Sequence, residues 1–509
     1  MKENIKLGQT DLTTESLVAL CRKKTGYQIE NKSWEELDKR RAQVEAIAAG
    51  KKPVYGINTG FGYLSDVQIP PEKIASLQVN FLRSHACGVG DPIGKDIVLG
   101  MMITKIHQFL LGHSGVSSTL VRQMLHFFDN EHVPYVPKKG SVGASGDLAP
   151  LSHIGLGLIG EGFFLDGGKK TPASDYYSQH QLNPLTLGPK EGLSIANGTH
   201  YMAVAGAFLL ERCKILAKTA DIVAAVSLDA FRGSLAAFDE RIHAVRKQKG
   251  QILVAENIRK IFASGKDEIM DSHKDCGKIQ DPYSYRCLAQ VHGCSRETIS
   301  FSQDILNREL NSSTDNPLMF SGGDFISGGN FHGQPIAMIL DYLAIAIAEI
   351  GNIAERRIEK LTIPHLSGLP AFLVKNDEGL HSGFMIAHYT SSSLVAENKL
   401  FCMPASVDSI PTSANKEDHV SMGPNAIHKL EKLVENVGLI LSIELLAACQ
   451  GVDLLAPHNP TPALKEVYNL VRSISPTLEE DRSLTEEIHV LNTKIHSGEV
   501  LNSCPVDIQ

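Results

Sequence analysis

What most restricts this chain is a set of long proline-free stretches rich in Ala, Leu and Ile, at residues 199–230, 336–361, 383–402 and 426–450. Several are apolar on most sides rather than along one stripe. A helix of that kind must be enclosed by other helices, because no face of it suits water. The pattern predicts a mainly α protein with a long central helical bundle and few short strands. The chain has 509 residues, 43% of them apolar, which is ample for such a core. That length accommodates roughly two to four domains. A soft boundary falls near residue 200. Residues 1–200 alternate glycine-rich loops with shorter helices, and residues 201–509 carry the long helices of the bundle domain.

Local signals refine this. Ser33-Trp34-Glu35-Glu36 reads as a capping box opening a helix that runs to Gly50, and Ser483-Leu484-Thr485-Glu486 as another that stops at Gly498. Strands are expected only near 162–165 and just before Gly198. No strand–glycine loop–helix unit of the dinucleotide or P-loop type occurs.

Bulk properties exclude several function classes. A formal charge of -8 and the lack of a concentrated basic run argue against nucleic acid as a partner. Nine cysteines, at 21, 87, 213, 276, 287, 294, 402, 449 and 504, show no metal-type spacing, and the 20 histidines include no HExxH. Reduced thiols and no metal are expected. The N-terminal segment has no apolar signal core. The longest apolar runs, 336–350 and 437–455, are broken by Asp341 and by Glu444 and Asp453. They read as buried helices of a soluble, cytoplasmic protein rather than membrane spans.

Three loops stand out against the helices. They are Val54-Tyr55-Gly56-Ile57-Asn58-Thr59-Gly60-Phe61-Gly62, Gly140-Ser141-Val142-Gly143-Ala144-Ser145-Gly146-Asp147, and Asn311-Ser312-Ser313-Thr314-Asp315-Asn316-Pro317 with Gly328-Gly329-Asn330-Phe331-His332 after it. Glycine and polar residues clustered between buried helices mark a site or simple turns. The second loop is no phosphate cradle, for it lacks the lysine–hydroxyl ending. It also lacks the full GxSxG order of a serine nucleophile, because Asp147 stands where the second glycine belongs.

Gly143-Ala144-Ser145-Gly146-Asp147-Leu148 resembles the aromatic amino-acid ammonia-lyases and aminomutases, and the resemblance extends over nearly the whole chain. In that family Ala-Ser-Gly closes on itself and dehydrates to a methylidene-imidazolone (MIO). Here the amide nitrogen of Gly146 would attack the Ala144 carbonyl, a tight closure that a Cβ at 146 would hinder. Water lost from Ser145 would leave an electrophilic methylene, with no diffusible cofactor needed. The resemblance assigns roles residue by residue. Tyr55, in YGxNTGFG, matches the base that removes the substrate β-proton, a task suited to a tyrosinate of lowered pKa. Its loop, with Gly56, Gly60 and Gly62, is the lid candidate. Asn197, in ANGT, matches the asparagine beside the electrophile. In QDPYSYR, Gln280 and Tyr283 join Arg286, which would pair with the substrate carboxylate. Phe331, in GGNFH, would pack against the substrate.

The ring-pocket residues narrow the substrate. After Leu77-Gln78-Val79-Asn80 comes Arg83-Ser84-His85, and Ser-His is the pattern of the family's histidine branch. An imidazole at His85 exchanges hydrogen bonds with a substrate imidazole. Glu417, in SANKEDHVSMG, would accept from that ring and favour its protonated form, which acidifies the β-carbon. Met385, in HSGFMIA, and the run 397–415 also match. The resemblance therefore implies deamination of L-histidine to trans-urocanate, in a homotetramer whose sites are shared between subunits. Lys416, Gln334 and the missing proline in RCLAQVHG depart from the histidine pattern. A tyrosine or phenylalanine lyase, a 2,3-aminomutase and an inactive helical scaffold stay open as alternatives.

Overall fold

The computed structural model describes residues 4–50, 52–62, 65–264 and 278–509. The apolar stretches become helices His200–Phe231, Gln334–Thr362, Met385–Phe401 and Gly423–Leu454, with Leu288–Leu310 beside them in length. Leu210, Val223, Ile347, Leu430 and Leu441 on these helices are fully buried. Each such side chain contributes about 1.5–3 kcal/mol by leaving water, so helix formation here is driven by enclosure and not by propensity alone. The protein is mainly α. Among the described residues the strands form four separate two-stranded pairs, three of them antiparallel.

The chain divides into two compact units. The first holds Met1–Phe208, Gln303–Leu340 and Pro404–His428. The second holds Leu209–Ser302, Asp341–Met403 and Lys429–Gln509. The N-terminal part is therefore completed by two later segments, which a single cut at residue 200 does not describe. In the second unit the Arg357 guanidinium meets the Glu444 carboxylate, Nη2 to Oε2 at 2.9 Å, with both side chains fully buried.

Several local expectations need correction. Helix Asn31–Ala48 starts ahead of Ser33, which lies inside it, buried and accepting from Gln9 Nε2 at 3.3 Å instead of capping. Helix Thr485–Ser497 has Leu484 at its N-cap, while the Ser483 hydroxyl turns to that of Thr485 at 3.4 Å. Its stop is as expected, for Gly498 has φ +80° and its N–H satisfies a terminal carbonyl. The segment before Gly198 is a short helix, Glu191–Ala196, buried throughout, and not a strand. The hairpin Phe163–Asp166 with Lys169–Pro172 falls where a strand was expected. Gln334–Thr362 and Gly423–Leu454 are each long and apolar enough to cross a membrane by length and composition, contrary to the sequence expectation that no run would be. Most of each such stretch is buried within the protein. The described cysteines are free, and Cys276 lies outside the described residues.

Candidate functional site

The Ala144-Ser145-Gly146 loop joins strand Pro137–Lys139 to helix Leu148–Leu158. Two glycines let it pass where no side chain would fit. Gly143 has φ +69°, and a Cβ there would lie 2.1 Å from Ser421 Oγ. Gly146 has φ +72°, and its Cβ would lie 2.1 Å from the Gly198 carbonyl oxygen. That approach is a backbone pairing. The Gly198 carbonyl accepts from Asp147 N at 2.8 Å, and Gly198 N donates to the Ser145 carbonyl at 3.4 Å.

Asp147 anchors the loop from below. Its Oδ2 accepts from Met202 N at 3.0 Å, in the first turn of helix His200–Phe231, and its Oδ1 accepts from Ser141 Oγ at 3.2 Å. A carboxylate at a helix N-terminus meets unpaired N–H groups and the positive end of the dipole. Burial nevertheless pushes the Asp147 carboxyl up to about 7, against those hydrogen bonds. On the other flank, Ser421 Oγ donates to the Gly143 carbonyl at 3.2 Å and Met422 N to that of Val142 at 2.9 Å.

Glu417 reaches the loop from the third segment of the first unit. Ser145 Oγ donates to Glu417 Oε1 at 3.1 Å, and Thr412 Oγ1 donates to Glu417 Oε2 at 2.8 Å. Thr412 and Glu417 also exchange backbone hydrogen bonds, which fixes the carboxylate's direction. Glu417 is half-buried and paired, not a free surface carboxylate.

The same carboxylate acts electrostatically on Tyr55 and on His85. Tyr55 sits in a loop pinned by buried Asn58, whose Oδ1 accepts from Val54 N at 2.7 Å and whose Nδ2 donates to the Lys52 carbonyl at 3.0 Å. The Tyr55 hydroxyl accepts from Gly62 N at 3.3 Å. Burial, aided by Glu417, raises its pKa despite that bond, which corrects the expectation of a lowered one. Tyr55 also borders a cavity of 530 Å³ with Ile47, Lys52 and Phe325, and none of Ser145, His85 or Glu417 lines it.

His85 ends helix Ile74–His85. Its Nδ1 lies 2.8 Å from the Phe81 carbonyl, which only accepts, so Nδ1 carries the proton and Nε2 is left as an acceptor. Burial holds the imidazole below its ordinary pKa, against the Phe81 bond and Glu417. Phe81 packs on His85 with ring centres 4.0 Å apart and planes tilted by 32°, and Phe61 packs on Phe81 at 4.5 Å.

Asn197 is buried. Its Nδ2 donates to the Asn316 carbonyl at 3.3 Å, while its Oδ1 receives no donor. Phe331 is half-buried in the loop before helix Gln334–Thr362. Tyr55, His85, Ala144, Ser145, Gly146, Asn197, Phe331 and Glu417 therefore all belong to the first unit. Gln280, Tyr283, Arg286 and Met385 belong to the second. There Gln280 is exposed, Tyr283 is 71% exposed, and the Arg286 guanidinium lies 4.7 Å over the Tyr283 ring while its Nε donates to the Asp281 carbonyl at 3.2 Å. Met385 opens helix Met385–Phe401.

Sequence reasoning missed Thr412, Asn58, Ser421 and the anchoring of Asp147. Asn58 and Asp147 stand inside the quoted loops, so a search for side chains able to satisfy loop N–H groups finds them. Thr412 and Ser421 also stand inside quoted runs, 397–415 and SANKEDHVSMG, but nothing in those runs marks them as supports for Glu417 or the loop.

The family model described as aromatic amino acid lyase matches residues 12–473. A histidine ammonia-lyase of Caenorhabditis elegans is 45% identical over 498 residues, covering 97% of this chain and 73% of that one. The crystal structure of histidine ammonia-lyase from Trypanosoma cruzi superposes with a TM-score of 0.89 at 43% identity, covering 98% of this chain and 94% of that one. A tyrosine aminomutase from Streptomyces globisporus gives a TM-score of 0.93 at 34% identity, covering both chains fully at 100%.

Proposed function

Because the chain belongs to the aromatic amino acid lyase family and is thus a carbon–nitrogen lyase, we propose that it deaminates L-histidine non-oxidatively to trans-urocanate and ammonia. The observation that carries this reading is the placing of the Glu417 carboxylate beside residue 145, where Thr412 Oγ1 holds it at 2.8 Å and Ser145 Oγ lies 3.1 Å from it before dehydration, with His85 within the electrostatic reach of the same carboxylate. A carboxylate and an acceptor imidazole nitrogen together match the two N–H groups of a protonated imidazole ring. A phenyl ring would leave Glu417 Oε1 without a donor while Thr412 holds only Oε2, and an unpaired polar atom costs about 1–3 kcal/mol.

The residues present fit the prosthetic group. Gly146 is held with its backbone against Gly198, where a Cβ is excluded, Ala144 is buried, and Asn197 Oδ1 waits buried without a donor. A methylidene-imidazolone made from Ala144-Ser145-Gly146 would supply an electrophilic methylene and an electron sink for loss of the amino group. The chain's own side chains do the rest. Glu417 and His85 orient the ring, and Phe331 packs on the substrate. Arg286 anchors the carboxylate with Gln280 and Tyr283 beside it, and Met385 closes the ring pocket. Tyr55 takes the β-proton. Its hydroxyl is held protonated by burial, so positive charge brought by the substrate ammonium and Arg286 must lower it first.

The second-unit residues would reach a site through assembly, in a homotetramer whose sites are shared between subunits. Exposed Tyr342, Ile345, Tyr389 and Leu400 on helices of that unit support such burial between copies. We place the enzyme in the cytoplasm, in histidine breakdown, where its free thiols stay reduced.

The test follows ultraviolet absorbance of the purified protein with L-histidine, L-tyrosine and L-phenylalanine in parallel. Urocanate alone is expected, and Ser145→Ala should abolish both turnover and the loss of two waters in the intact mass. The second reading is a 2,3-aminomutase, favoured by the likeness to the tyrosine aminomutase. A β-amino acid product would establish it instead.

A further inference from the structure

Beneath the Asn197–Gly198 segment lies a charge cluster with no part in the proposed deamination. Asp315, Lys190 and Lys105 are all buried. Lys190 takes the ion pair, Nζ to Asp315 Oδ2 at 2.6 Å, and Ser194 Oγ donates to the same oxygen at 2.9 Å. Lys105 is a second buried lysine beside that pair, acted on by Asp315 and Asp147.

The Lys105 ammonium donates to the Asn197 backbone carbonyl. Gln108, one turn on, is turned so that its oxygen accepts from Thr314 N and Asp315 N at 3.0 Å each, while its amide nitrogen donates to His200 Nε2 at 2.6 Å. In the unturned orientation the Gln108 oxygen would instead accept from Lys105 Nζ at 3.3 Å. Burial pushes Lys105 down to about 7. Asp315 and Asp147 oppose that shift, and Lys190 adds to it.

Asn197 is thus gripped at both ends. Lys105 holds its carbonyl, and Asp315 Oδ1 at 3.5 Å with the Asn316 carbonyl at 3.3 Å holds its side-chain amide. The free Oδ1 is fixed in direction, and the next residue, Gly198, pairs with Ser145 and Asp147.

A structural ion pair needs one lysine. A second, desolvated one lowers stability, since its charge is better solvated in the unfolded chain. The ion pair alone does not account for its position, whereas its bond to the Asn197 carbonyl does. We propose that Lys105 is a positioning residue: together with Asp315 it clamps Asn197 and holds Gly198 against the Ser145–Asp147 backbone, so that the electrophile loop and the Asn197 amide keep one geometry. The proposal rests on the ammonia-lyase reading.

The test uses the full chain with Lys105→Met, Lys105→Gln and, as comparator, Lys190→Met. Intact mass, thermal unfolding, and kcat and KM for L-histidine are measured on each. Lys105→Met should unfold at or above the wild-type temperature, whereas Lys190→Met, which strands Asp315, should unfold below it. In Lys105→Met, kcat should fall at least about tenfold while KM stays within about threefold, the mark of a transition-state effect. Lys105→Gln, which keeps a donor without the charge, should recover part of kcat. A folded Lys105→Met chain that retains both waters also upholds the clamp, acting then at ring closure. Wild-type kcat in Lys105→Met overturns the proposal, and so does destabilisation equal to that of Lys190→Met. A wild-type protein that has lost no water and turns over no histidine sinks the ammonia-lyase reading itself, and the clamp with it.

Discussion

Glu417→Gln separates the charge of this residue from its shape. The side chain is half-buried, Thr412 Oγ1 donates to it at 2.8 Å, Ser145 Oγ does so at 3.1 Å only until dehydration removes that hydroxyl, and Gln has nearly the same volume. The fold should therefore tolerate the exchange, with an unfolding free energy within about 1 kcal/mol of wild type. What is lost is the surplus of a charged hydrogen bond over a neutral one to the substrate ring. Charged bonds contribute about 1.5–3 kcal/mol and neutral ones about 0.5–1.5, a difference of roughly 1–2 kcal/mol, or about 5- to 30-fold in kcat/KM for histidine. The pH profile should move as well. The carboxylate raises the proton affinity of both His85 and Tyr55, so without it both titrate at lower pH. Initial rates of urocanate formation across pH, on protein whose intact mass shows the loss of two waters, measure both effects. If such protein kept wild-type kcat/KM and an unmoved profile, Glu417 would not face the substrate imidazole, and the argument for histidine from this residue would fail.

Other expectations follow from the same geometry. Gly146→Ala imposes a left-handed alanine, about 1–2 kcal/mol, and drives its Cβ into the Gly198 carbonyl; mass spectrometry should find both waters retained. Arg357→Met strands Glu444 in the core and should cost about 3–5 kcal/mol in urea unfolding; a near-neutral result would show that Glu444 finds another donor or stays protonated. His107 Nδ1 accepts from Gly8 N and His153 Nε2 from Gly88 N, and burial holds both imidazoles down to about 4 from 6.5. The unfolded chain takes up protons in that window and the folded chain does not, so stability should fall as pH drops from 6.5 towards 4. Thermal midpoints across that range should lose slope in His107→Gln.

The long helices were legible because their signal is redundant. Dozens of apolar residues point to one state, and the observed bounds of His200–Phe231 and Gln334–Thr362 lie within two residues of those expected. Short elements lack that redundancy. Ser33 looked like a cap, yet packing against Gln9 draws it into the helix. The segment before Gly198 looked extended, and the only extended pairing there is at Gly198 itself, against Gly146. At the site, the catalytic loops were readable as motifs. Their supports were not: Thr412 matters only because the chain folds back on Glu417, and Lys105 only because a helix over a hundred residues from Asp315 in sequence is brought against it. The direction of the Tyr55 shift depends on which charges are nearby, and that is a property of the folded unit.

The discontinuous first unit sets an order of events. Ala144-Ser145-Gly146 leaves the ribosome long before its supports do, because Asp315 and Glu417 arrive with Gln303–Leu340 and Pro404–His428. At ordinary elongation rates roughly 270 residues separate loop from Glu417, on the order of 10–50 s of synthesis. During that interval the tripeptide is plain peptide with an ordinary serine. If ring closure needs the finished surroundings, the reactive group cannot arise on a nascent or truncated chain, and every chain that carries it has already passed a test of its own folding.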